Sequence, residues 1–82
     1  MKRFKVALIE TWTHYRWGYV HNERDAISKT VNADNEAAAI IAAKKLIKKE
    51  NGYKERDFHT YYPERGGEYM EIKFRVEELP AA

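Results

Sequence analysis

The sequence predicts an α+β fold: a two-layer domain with one α-helix packed on a mainly antiparallel four-stranded sheet, in the order ββαββ. Three observations carry this. An alanine-rich segment after Asp34 has helical spacing and halts at Asn51-Gly52. Two-residue alternation marks the stretch from Phe4 to Ile9 and, more cleanly, Glu68 to Val76. Turn-forming residues gather at His21–Asp25 and at Pro63–Gly67, between the apolar runs.

In the first strand Phe4, Val6 and Leu8 face the core, while Lys5, Ala7 and Ile9 take the opposite side and leave apolar surface there. Ile27, Lys29, Val31 and Ala33 alternate with Ala26, Ser28, Thr30 and Asn32 in a second strand. Pattern leaves open whether part of 13–20 also pairs, as a long hairpin with its tip near Asn22. Asp34 is the expected helix N-cap, Glu36 suits the positive end of the helix dipole, and Ala37–Ala43 is strong helix-former sequence. Lys44, Lys45, Lys48 and Lys49 gather toward the C-terminal end, and Asn51-Gly52 supplies the stop. Ala39, Ile40, Ala43, Leu46 and Ile47 share one stripe, with alanines small enough to bring the helix close to a sheet. Phe58–Tyr62 reads as a third strand, 63–67 as a turn, and 68–76 as a fourth strand. In that last strand Met70, Ile72, Phe74 and Val76 are buried, while Glu71, Lys73, Arg75 and Glu77 form a solvated, cross-paired face. Residues 78–82 read as a frayed end.

The 82 residues make a single domain, 1–82, near the lower size limit for folding without staples. With no Cys, neither disulfides nor thiolate-held zinc supplement the core. Charged residues are 34% of the chain but of both signs, and the net charge is only +2, so neither disorder nor a strongly basic nucleic-acid binder follows. The longest apolar run, Ala37–Ala43, is too short to span a bilayer. These features predict a cytoplasmic protein with no membrane partner.

Catalysis is the weakest functional class. The lone Ser28 has no nucleophile-elbow context, and the three His (His14, His21, His59) show no metal-ligand spacing. No catalytic residue, metal or cofactor is expected. The aromatic run Trp12-Thr-His-Tyr15-Arg16-Trp17-Gly-Tyr19 is the sharpest feature, since Trp, Tyr and stacked Arg are the residues that dominate protein recognition. Its competing reading is a loop whose tryptophans close the end of a small core. The expectation is therefore a small non-enzymatic module that binds a protein partner through Trp12, Tyr15, Arg16, Trp17 and Tyr19. The alternative is a nucleic-acid-binding domain using Lys44, Lys45, Lys48 and Lys49 for phosphates, with the same aromatics stacking on bases. A homo-oligomeric structural protein is the third reading, with a homodimer formed through the uncovered sheet face or an edge strand.

In size and element order, a small Cys-free chain of hairpin, alanine-rich helix and second hairpin resembles phage-encoded accessory proteins, including stoichiometric inhibitors of host defence complexes such as anti-CRISPR proteins. The resemblance implies a non-catalytic binder and transfers no functional residue.

Overall fold

The computed structural model describes residues 1–14, 20–59 and 68–80; the side chains of His14, Val20, His21, Glu68 and Tyr69 fall outside that description. The elements run β1 (Lys2–His14), β2 (Val20–Ala33), α1 (Glu36–Asn51), a 3-10 turn (Glu55–Phe58) and β3 (Glu68–Glu78). The three strands form one antiparallel sheet in the order β2-β1-β3, with α1 on one face. This corrects the four-stranded ββαββ expectation.

At Phe58 and His59, the described part of the expected third strand, the departure has a local cause. Phe58 and its neighbours are aromatic enough for a strand, but the chain before them winds into a tight turn. The Lys54 amide donates to Asp57 Oδ2 at 2.8 Å, the Asp57 amide to the Lys54 carbonyl at 2.9 Å, and the His59 amide to the Arg56 carbonyl at 3.3 Å. Those amides are spent within the turn and are lost to any ladder. Phe58 is driven down against Leu8 and Ile47, with its ring 6.0 Å from that of Phe74 and 5.9 Å from that of Tyr53. The remainder of the expected third strand, 60–62, lies outside the described residues, as does the turn at 63–67.

β1 and β2 form the long hairpin that pattern left open. Their register runs from Lys2 opposite Ala33 to His14 opposite Val20, so Asn22 lies within β2, opposite Trp12, and is not the tip. The register shifts once: Leu8 faces Ile27 but Ile9 faces Asp25, leaving Ala26 as an extra residue in β2. Without the shift Glu10 would oppose Asp25, a like-charge pair. With it Glu10 opposes Arg24, and the two form an ion pair at 3.0 Å.

The core lies between the sheet and the alanine stripe of α1. Ala39, Ala43 and Ile47 are fully buried and meet Phe4, Val6, Val31 and Ala33 at one end and Leu8 at the other. The helix N-cap is Asn35, not Asp34: its Oδ1 accepts from the Ala38 amide at 2.8 Å, three residues on, where a capping side chain reaches the first turn. Gly52 ends the helix with φ 70°, the left-handed conformation that favours glycine. At the sheet's other end β3 reaches Glu78, and the Leu79 amide donates to the Arg3 carbonyl at 2.8 Å, so 78 and 79 are anchored, not frayed.

The face away from the helix is not the open apolar surface the alternation suggested. Ile9 is only 3% exposed and Ala7 6%. Both lie on the central strand, Ile9 between Asp25 of β2 and Lys73 of β3. Arg75, opposite Ala7 on β3, meets Glu23, opposite Thr11 on β2, at 2.7 Å, and the pair bridges β1 above Ile9. Thr13, farther along this face, is also buried.

Candidate functional site

Helix and sheet are unequal in length, and the site follows from that. The 16 residues of α1 span roughly 24 Å at about 1.5 Å per residue, whereas the 13 residues of β1 span roughly 43 Å at about 3.3 Å per residue. The helix begins at the Ala33 end of the hairpin and stops near Glu10. Past its stop, the helix-side face of β1 and β3 floors an open groove of about 780 Å³. Among the described residues, its floor holds Glu10, Met70 and Ile72, and its wall holds Asn51, Gly52, Tyr53, Arg56, Asp57 and His59. Chain reversal at Gly52 and the 3-10 turn place that wall.

Trp12, the first residue of the aromatic run, stands on the same sheet face as Glu10, directly opposite Met70. It is half-buried, and its indole N–H donates to Glu10 Oε2 at 3.4 Å. The same oxygen accepts from Arg24 Nη2 at 3.0 Å, so one carboxylate, itself largely buried, orients both the indole and the guanidinium. Tyr15, Arg16, Trp17 and Tyr19 lie outside the described residues.

The four helix lysines do not act as one patch. Lys44 bends down over the core edge, its Nζ 5.4 Å from the ring centroid of Phe74 and 5.6 Å from that of Phe58. Lys48 pairs with Glu55 of the 3-10 turn and lies 5.9 Å from the Phe58 ring. Its ammonium, first by that hydrogen bond and then by its charge, holds the Glu55 carboxyl below the ordinary glutamate value. Lys45 and Lys49, a turn apart on the adjoining face, are exposed. Phe58, from the expected third strand, and Phe74 of β3 thus draw in half of the basic set.

No protein-family model matches the chain, and neither a characterised protein nor a solved structure matches it significantly, so no residue's role comes from a relative.

Among the described residues no three His, Asp or Glu converge as a metal-binding group, and no helix is long and apolar enough to cross a membrane. Sequence reasoning missed the groove because Met70 and Ile72 have the same alternation as Phe74 and Val76, which the helix does help to bury. The signal that would have found it is length: a strand continued through Trp12 outruns a helix stopped at Gly52.

Proposed function

We propose that this chain is a non-enzymatic binding module that engages another protein through the groove beyond the end of α1, with Trp12 at its border. One observation carries the reading: the helix covers only part of its sheet face, and the remainder combines an apolar floor, Met70 and Ile72, with a charged and aromatic rim. An apolar centre ringed by polar groups is the usual anatomy of a protein interface, and Trp, Tyr and Arg are its strongest contributors. Trp12, Tyr53 and Arg56 supply those types here, and the sequence continues from Trp12 into Tyr15, Arg16, Trp17 and Tyr19. A Cys-free chain is compatible with a cytoplasmic setting.

Nucleic-acid binding ranks second, because Lys44 and Lys48 are turned onto rings and Glu55, leaving Lys45 and Lys49 free of those contacts. The layout shared with phage-encoded inhibitors included a second hairpin that the described fold does not contain, so the proposal stops at a binding module.

Site-specific photo-crosslinking tests it. With a photoreactive residue at Met70, the expected product is a nuclease-resistant adduct to a protein other than a second copy of this chain, and the Trp12→Ala background weakens it; the same group at Lys49 gives none. Equal adducts at both positions, or adducts abolished by nuclease, would overturn the reading.

A further inference from the structure

We infer that the outer edge of β3 pairs antiparallel with the same edge of a second copy of this chain, about a two-fold axis through Ile72, joining two three-stranded sheets into one of six. The inference stands whether or not the groove is a binding site.

The two edges of the sheet are built differently. β2 carries the extra residue Ala26, and such bulges kink an edge and guard it against pairing. β3 carries none: its register with β1 runs unshifted from Glu78 opposite Phe4 to Glu68 opposite His14. Among the described residues β1 is its sole strand neighbour. A long regular edge of this kind is a template for another strand.

Charge then selects the register. In an antiparallel pair opposing residues point to the same face, so a two-fold axis must pass through a residue. Axes through Glu71 or Arg75 set that charged residue against its own copy, and three registers keep a longer part of Glu68–Glu78 paired. An axis through Phe74 sets Lys73 against Arg75 and Glu71 against Glu77, so both kinds of charge pair are repulsive. An axis through Lys73 sets Glu71 against Arg75 twice, but it also sets that lysine against its own copy and Glu68 against Glu78 twice. An axis through Ile72, pairing 68–76, sets Glu71 against the second copy's Lys73 twice over and opposes no like charges. On the helix side it sets Ile72 against Ile72 and Met70 against Phe74, apolar side chains that are only half-buried in the monomer. Moving the axis on to Val76 shortens the pairing and brings Pro80 into it. Opposite charges and apolar pairs facing directly across strands are the contacts that stabilise sheets. Because Met70 and Ile72 also floor the groove, the two grooves would meet at the junction.

Sedimentation velocity on the full chain, from about 1 to about 200 μM, tests this against charge variants. Wild type is expected to dimerise within that range. Lys73→Glu sets Glu71 against a new acid at both symmetry-related contacts and is expected to weaken the dimer at least about tenfold. Lys73 is well exposed, so the monomer tolerates the change, which circular dichroism checks. The swapped double variant, Glu71→Lys with Lys73→Glu, restores opposite charges and is expected to recover the wild-type constant to within about threefold. A wild-type chain monomeric throughout, a dimer indifferent to Lys73→Glu, or a swap as weak as the single variant would each overturn the inference.

Discussion

The helix-side face of this sheet has two halves, and one strand crosses both. Under α1, alternate residues of β1 are Phe4, Val6 and Leu8, all buried against Ala39, Ala43 and Ile47. Past Gly52 the same alternation continues as Glu10 and Trp12, with Ile72 and Met70 beside them on β3, and here the residues are half-buried. In the first half, shape complementarity between small helix residues and large strand residues excludes water. In the second, a carboxylate held by Arg24 and an indole does the organising. Two-residue periodicity names the face a side chain occupies; whether anything covers that face is a separate matter.

The largest expected effect sets the halves against each other. Leu8→Ala should lower unfolding free energy by about 2–5 kcal/mol, as large-to-small changes in filled cores do. Met70→Ala, in the groove, should cost less than about 1 kcal/mol. Denaturant titration of both checks this, and equal losses would break the distinction between the half under α1 and the half beyond it. A smaller effect probes how the cover begins. Asn35→Ala should cost about 1 kcal/mol by removing the cap, while Asp34→Ala should be close to neutral. A larger loss at Asp34 would return the cap to the residue that the sequence pattern favours.

The smallest effect probes how the cover ends, where Lys48 ties α1 to the 3-10 turn. A glutamate with a depressed pKa stabilises the fold at pH above its ordinary value and loses that contribution as pH falls through the depressed one. Glu55→Gln should therefore lower Tm slightly at neutral pH, with the gap from wild type closing on acidification. Because Glu55 is fully exposed, the change should be modest and should shrink with added salt. A gap that widens in acid would contradict the pairing with Lys48.

Much of the covered half was legible in the residues. The stripe of Ala39, Ala43 and Ile47, the stop at Gly52 and the alternation in 4–8 and 68–76 are all patterns within one element, where local spacing suffices. The Glu71–Lys73 ion pair at 3.8 Å and the exposed side chains of Lys73, Arg75 and Glu77 likewise match the solvated face read from β3. Phe58 misled because aromatic content marks strands and core plugs alike; the Lys54–Asp57 hydrogen bonds that decide between them resemble any polar loop in sequence. Ala7 and Ile9 misled for another reason. Their cover comes from Arg75 and Glu23, distant in the chain and joined only by strand order. The site was the least legible part. Of the residues proposed first, Trp12 stands beside Glu10 and Met70 of the groove, while the four lysines divide into two that clasp rings and two that face solvent.

By itself the sequence determined which faces of its strands and helix are apolar and where the helix must end, because those follow from periodicity and from the backbone freedom of single residues. Tertiary structure alone decided how many strands the described sheet has, what shields Ile9, and that the sheet outruns its helix. Each of these depends on register and relative length between segments far apart in the chain. Bulging one residue, Ala26, out of the ladder is enough to exchange a repulsive neighbour of Glu10 for an attractive one.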